Sequence, residues 1–197
     1  MTNIILASGS AIRAQILKNA GLDFDIKRPD LDENIIKKQC LSDGIPIPDI
    51  AMALAEAKTM EVAKSTDKIV IGSDQILEFE GQLFDKPANM AEAKTRLNDL
   101  QGKTHSLINA TCAARNGRII WRNTERPYLT MFPLTPAQLD IYFSNADPSI
   151  LKSVGAYQIE GLGARLFERI EGDYFAVLGL SLAPLLSFLR QEGAVAF

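Results

Sequence analysis

Asp74 is the carboxylate on which chemistry would turn. It follows an apolar run, Ile69 to Ile71, that reads as a buried strand stopping at Gly72-Ser73, so an acid is expected at a strand exit. Gln75 to Phe79 and Gln82 to Phe84 then flank Glu80-Gly81, which predicts a hairpin whose return arm carries Lys86 back toward Asp74, with Pro87 stopping the strand. Ser8-Gly9-Ser10 separates a short apolar strand, Asn3 to Ala7, from a helical pattern with Ile12, Ile16, Leu17 and Ala20 on one face. Ser10 is the expected N-cap, and a loop of small residues leaves backbone N–H groups open to an anion. Arg13 falls in the first turn, where a cation opposes the helix dipole and makes more sense beside an anionic ligand. Pro29 to Glu33 reads as a polar turn, and its carboxylates suit a hard cation such as magnesium, with substrate phosphates completing the shell. Lys58 stands at the edge of an Ala-rich helix, where a lysine ordinarily snorkels to solvent.

An anion cradle with Arg13, an acidic turn at Asp32-Glu33, Asp74 and the cations Lys58 and Lys86 together fit phosphoanhydride hydrolysis. Cations and a divalent metal hold the charged oxygens, and a carboxylate positions or deprotonates the attacking water. No covalent nucleophile is needed. Other chemistries lack their residues. His105 is the only histidine and no Gly-x-Ser-x-Gly elbow exists, which argues against a serine hydrolase. No Gly-Lys-Ser/Thr follows the first loop, and no Gly-x-Gly-x-x-Gly follows the first strand.

The elements that must position these groups alternate helix with sheet. Leu22 to Arg28 reads as a strand, Ile45-Pro46-Ile47-Pro48 as a stiff connector, and Asp49 as the cap of a helix from Ile50 to about Lys64. Asn89 and Glu92 resemble a capping box for a helix that stops at Gly102. Thr104 to Arg115 and Arg118 to Met131 pair around Asn116-Gly117. Thr135-Pro136 opens a further helix, three glycines between Gly155 and Gly163 suggest close approach of the backbone to something, Ala164 to Ile170 forms a last strand, and Leu182 to Arg190 a closing helix. His105 reads as structural or exposed, and Trp121 as packing.

A chain of 197 residues, 47% hydrophobic and 23% charged, fits one ordinary domain or two packed lobes. A net charge of −3 opposes broad nucleic-acid or membrane-surface binding. Cys40 and Cys112 lie in no ligand spacing, so neither zinc nor a disulfide framework is expected and a reducing cytoplasm fits best. Met1 to Leu6 carries no basic leader, and no stretch approaches a membrane span.

The string Leu6-Ala-Ser-Gly-Ser-Ala-Ile-Arg13, then Asp32-Glu33, Gly72-Ser-Asp-Gln75, Asp85-Lys-Pro87, Gly102-Lys-Thr-His105, Gly155-Ala-Tyr-Gln-Ile-Glu-Gly161 and Ile170-Glu-Gly-Asp173 with Gly179-Leu180 resembles the Maf-like nucleotide pyrophosphatases, in order and over nearly the whole chain. The resemblance implies an α/β fold, an elongated mixed sheet flanked by helices with two lobes around a central cleft in a single domain, and a homodimer. It implies metal-dependent cleavage of nucleoside triphosphates, with magnesium, manganese or cobalt, to the monophosphate and pyrophosphate. By position, Asp74 is then the general base, Lys86 and Arg13 hold the triphosphate, Ser8 and Ser10 line its cradle, Glu33 and Lys58 complete the pocket, and the metal lies among Glu33, Asp74 and the phosphates.

The family usually has Ser-Pro-Arg-Arg where this chain has Ser10-Ala11-Ile12-Arg13. Gln75 and Glu160, with Leu166 to Gly172, resemble the subgroup acting on 7-methyl-GTP. A carboxylate at Glu160 can accept from N1–H and the 2-amino group of guanine, a contact worth roughly 1 to 3 kcal/mol of discrimination. That subgroup has Trp at the position of Ile12, so the aromatic platform is missing. Two alternatives stay open: a dTTP/UTP pyrophosphatase, and a nucleotide-binding regulator of septum formation acting through a partner.

Overall fold

The computed structural model describes residues 3–196. In chain order its elements are β1 (Ile4–Leu6), α1 (Ala11–Asn19), β2 (Asp25–Ile26), α2 (Glu33–Ser42), α3 (Ile47–Ala63), β3 (Ile69–Phe79), β4 (Gln82–Phe84), α4 (Met90–Leu100), β5 (Thr104–Arg115), β6 (Arg118–Glu125), β7 (Tyr128–Met131), α5 (Pro136–Asn145), β8 (Phe167–Glu171), α6 (Tyr174–Leu178) and α7 (Leu182–Gln191). The eight strands form a mixed sheet of order β2-β1-β3-β5-β7-β8, with β4 on β3 and β6 on β5. β1 runs parallel to β2 and β3, and the hairpins and β7-β8 are antiparallel. This is the α/β mixed sheet with helices that the sequence predicts.

Contacts divide the chain into two units. The first takes the residues up to Gln75, Asn109–Glu125 and those from Asp173 onward, and the second takes Ile76–Ile108 and Arg126–Gly172. In the first unit the period of two in the strands sorts side chains onto opposite faces. Ile4, Leu6, Ile69 and Ile71 pack with Ile16 and Leu17 of α1 and with Leu182, Leu185, Phe188 and Leu189 of α7. Ile5, Ala7 and Val70 pack with Val62 and Ala63 of α3. Trp121 stacks on Phe188 with ring centroids 5.2 Å apart, the packing role expected of it.

In the second unit α4 packs against α5, and His105, Tyr157 and Phe167 form an aromatic cluster. His105 is 2% exposed and its Nε2 lies 2.6 Å from the Tyr157 hydroxyl, so it is structural. Burial pushes its pKa down to about 4.

Several elements differ from expectation for identifiable reasons. β3 does not stop at Gly72-Ser73; it runs unbroken for 11 residues, so Asp74 is a mid-strand residue and not a strand-exit one. What does end there is β1, whose last residue Leu6 pairs with Ile71. Gly72 is no strand breaker either: a Cβ there would collide with Thr59 Oγ1 and lie 3.0 Å from the Ala55 carbonyl oxygen, so the glycine lets α3 lie close on β3. The turn at Glu80-Gly81 is as predicted, with both residues at positive φ and Phe79 paired to Gln82.

The polar turn before Glu33 is the N-terminus of an unanticipated helix, α2, whose cap is Asp32. None of its residues is buried, so it leaves no apolar stripe to read. α3 begins at Ile47, because Pro48 falls in its first turn where a proline needs no N–H partner. The strand expected over 22–28 shrinks to β2. The arm expected over 118–131 divides at Arg126-Pro127 into β6 and β7, which pair with different stretches of β5. The last strand starts only at Phe167, after a 3-10 turn over Leu162–Leu166. In the glycine tract the close approach is to the chain itself: side chains at Gly155 and Gly163 would collide with the Tyr157 ring and the Gln158 backbone.

Candidate functional site

A cluster of charge is built where β1 gives way to α1. The alternation of β3 turns Val70, Gly72 and Asp74 toward α3, and Lys58 on that helix, one residue before Thr59, meets Asp74. Lys58 Nζ lies 2.6 Å from Asp74 Oδ1 and 2.9 Å from Glu33 Oε2. Lys58 and Asp74 are 8% and 7% exposed, so the lysine does not snorkel but is an internal cation shared by two carboxylates. Glu33 is the first residue of α2, where its charge also favours the helix dipole.

Arg13 enters from the first turn of α1. Ser10 caps that helix by accepting from Arg13 N, and the Ser10 N–H donates to Ser8 Oγ at 3.1 Å. The Arg13 guanidinium donates through Nε to the Gly179 carbonyl at 2.7 Å and through Nη1 to Ser8 Oγ at 3.4 Å. Burial lowers the Arg13 pKa from its ordinary value, and the charges of Asp74 and Glu33 oppose that shift. The anions that justify a cation at this helix start are therefore in part the protein's own.

Ser73 and Gln75 point to the opposite face of β3. Ser73 Oγ donates to the same Gly179 carbonyl at 3.0 Å, and Gln75 Nε2 donates to the carbonyls of Ala176 and Val177 at 2.8 and 3.1 Å. Gln75 thus braces the five-residue helix α6, which ends at Gly179 with φ 104°, a conformation suited to glycine. Ser8, Ser10, Arg13, Glu33, Lys58, Asp74 and Gln75 all belong to the first unit, and Lys86 and Glu160 to the second. Lys86 lies exposed between β4 and α4; Arg96 fixes that segment by donating to the carbonyls of Asp85 and Val154 while lying over the Phe84 ring. Glu160 is exposed in the glycine tract, and nearby in the sequence Arg169 pairs with Glu171.

Some residues of this neighbourhood escape a reading by motif. Gly179 contributes a carbonyl, for which no side chain signals. Asn109 and Thr111 carried a signal, since they are polar residues at alternate positions in the otherwise apolar run 107–114, and both are fully buried. Arg28 crosses Gly9 so closely that a Cβ there would lie 3.1 Å from its Nε.

The donor set fits a divalent cation of the magnesium type. Two hard carboxylates, of Glu33 and Asp74, already converge on one positive charge, the Lys58 ammonium, and such ions take one or two carboxylates and draw other ligands from phosphate and water. Among the described residues no group of three or more His, Cys, Asp or Glu side chains is placed to hold a metal, so the protein alone offers no full cage.

The sequence profile described as Maf-like protein matches residues 3–192. A nucleoside triphosphate pyrophosphatase of Caulobacter vibrioides is 45% identical over 99% of this chain and 98% of its own. A 7-methyl-GTP pyrophosphatase of Rhizobium meliloti is 43% identical over 98% and 97%, and one of Brucella abortus is 40% identical over 98% and 97%. With a profile match and full-length relatives of this similarity, the chain belongs to the Maf-like protein family.

Proposed function

We propose that this protein is a nucleoside triphosphate pyrophosphatase, a hydrolase that cleaves between the α- and β-phosphates to give a nucleoside monophosphate and pyrophosphate. The observation that carries the reading is the cluster in which Lys58 joins Asp74 and Glu33 beside Arg13 at the end of β1. The names of relatives that align end to end support the reaction class.

Arg13, anchored through Nε, offers its Nη end to phosphate oxygens, and Ser8 and Ser10 complete the cradle at the start of α1. Asp74, held by Lys58, orients a water and takes its proton as the water oxygen bonds to the α-phosphorus. The bond from that phosphorus to the bridging oxygen breaks, and pyrophosphate leaves with the electron pair. The sequence resemblance assigns Lys86 to the charge that develops on this leaving group. A magnesium, manganese or cobalt ion held by Glu33 and Asp74 with the phosphates would supply charge neutralisation and polarise the phosphoryl oxygens.

The finer reading is 7-methyl-GTP as substrate, with Glu160 accepting from the guanine edge and Gln75 fixing α6 beside the cradle. Relatives of comparable similarity carry either the general name or the 7-methyl-GTP name. The test is a panel of 7-methyl-GTP, dTTP, UTP and ITP assayed for pyrophosphate with each metal, in water enriched in oxygen-18. Turnover is expected to be highest on 7-methyl-GTP, with label in the monophosphate. A preference for dTTP and UTP would replace the substrate, and inactivity on every triphosphate would replace the enzyme by a binding regulator. Asp74→Asn is expected to lower turnover at least 1000-fold with nucleotide binding still measurable; retained turnover would remove Asp74 as the base.

A further inference from the structure

Behind the charged cluster lies a set of polar side chains that touches no expected ligand. Ser73, Asn109, Thr111 and Ser181 are each 0% exposed. Buried polar groups are retained at a cost unless every donor and acceptor is matched, and here the matching can be followed proton by proton.

The Gly179 and Asp74 backbone carbonyls can only accept. The Ser73 hydroxyl therefore spends its one proton on Gly179 O, at 3.0 Å. Asn109 must turn its nitrogen toward Asp74 O, at 3.3 Å, and its second N–H meets Ser73 Oγ at 3.2 Å. That orientation leaves Asn109 Oδ1 to accept from Ser181 Oγ at 2.9 Å and from Thr111 Oγ1 at 3.3 Å. Thr111 Oγ1 also lies 3.2 Å from Ser73 Oγ and accepts from Ser181 N at 3.4 Å. Ser181 and Thr111 donate into Asn109 Oδ1, and the protons of Asn109 and Ser73 run on to two ends. One end is the backbone of Asp74; the other is the carbonyl to which Arg13 donates at 2.7 Å.

We infer that Asn109 is a positioning residue: through this network it sets the Asp74 carboxylate and the Arg13 guanidinium as one unit. The inference rests on the proposed pyrophosphatase reaction for its catalytic meaning, though not for its geometry. Asn109 supplies donors at one side of its amide and acceptors at the other, and no other side chain of its size does both. Leucine has a similar shape and neither function.

The experiment compares wild type with Asn109→Leu, Thr111→Val and Thr111→Ser. Two measurements are made: steady-state kinetics on the best triphosphate, and NMR exchange of the Arg13 Nε–H with solvent, which is slow when that proton is held by Gly179 O. Asn109→Leu is expected to lower kcat at least tenfold with KM changed less than threefold, and to speed the Nε–H exchange at least tenfold. Thr111→Val should do the same to a smaller degree, and Thr111→Ser, which keeps the hydroxyl, should stay within twofold of wild type in both. Should Asn109→Leu not fold, the Thr111 pair carries the comparison. Wild-type kcat in a folded Asn109→Leu, or equal damage from both Thr111 substitutions, overturns the inference. If wild type turns over no triphosphate, the pyrophosphatase reading fails, and the exchange measurement still decides: unchanged exchange in the variants overturns the positioning role, and faster exchange upholds it.

Discussion

At the scale of the residue, Lys58 decides more than any other side chain described. It holds two carboxylates, and it is nearly as buried as Asp74, whereas the Glu33 side chain is 43% exposed. Surface pairs contribute little and broken buried pairs cost much, so the two partners are unequal. Lys58→Met is expected to lower stability by about 2–4 kcal/mol, because it strips the buried Asp74 of its direct partner and leaves it facing Glu33 with only Arg13 nearby. Glu33→Gln is expected to cost under about 1 kcal/mol. Urea unfolding of both, with Lys58→Met combined with Asp74→Asn, checks the ranking; the combination should recover part of the loss. The residue types of this cluster were legible in the sequence, since Arg13 and Glu33 appear beside loops, Asp74 after an apolar strand run and Lys58 on the edge of an Ala-rich helix. Lys58 as an internal cation was not, because nothing in its own helix shows that the facing strand presents an acid to it.

Element positions follow from close approach more than from propensity. α3 can reach Asp74 only because Gly72 leaves room for Thr59, the residue next to Lys58. Gly72→Ala is expected to cost about 1–3 kcal/mol through overpacking and to depress activity, since it pushes Lys58 away from its partners. Thermal melts and turnover of Gly72→Ala, and of its combination with Thr59→Ala, test this. Partial recovery is expected, because the Ala55 carbonyl at 3.0 Å remains in the way. Glycine here reads from sequence as the end of a strand, and the distinction needs the helix that packs on it. The capped helices, α1, α4 and α5, were legible because their signals are local: Ser10, Asn89 and Thr135 each accept from the backbone three residues on. α2 was hidden by having no buried face, and α6 by its length of five residues.

One response of the whole molecule to pH comes from its single histidine. His105 is held neutral by burial, with a pKa of about 4 in place of 6.5. In the unfolded chain it takes a proton as pH falls below 6.5, and in the folded protein only near 4, so between these values the unfolded state binds more protons. Its contribution is therefore complete above pH 6.5 and is lost as pH falls toward 4. At roughly 1.4 kcal/mol per pH unit this amounts to about 3 kcal/mol. Urea midpoints at pH 7, 5.5 and 4 should fall accordingly, and His105→Gln should flatten that slope even as it lowers overall stability. Among the described residues no helix is long and apolar enough to cross a membrane.

The charges of Arg13 and Lys58 offset those of Glu33 and Asp74, so these four groups sum to zero before any nucleotide arrives, in a chain whose net charge is −3. These four groups by themselves exert no net long-range pull on a polyanion, and as far as they set the encounter a triphosphate would enter by unassisted diffusion with its countercharge already bound. Encounter should then be indifferent to ionic strength. Raising salt from about 0.01 to 0.1 M contracts the Debye length from about 30 to about 10 Å, yet kcat/KM on the metal-saturated nucleotide is expected to change less than about twofold. A steep decline would mean that cations outside this cluster capture the nucleotide first.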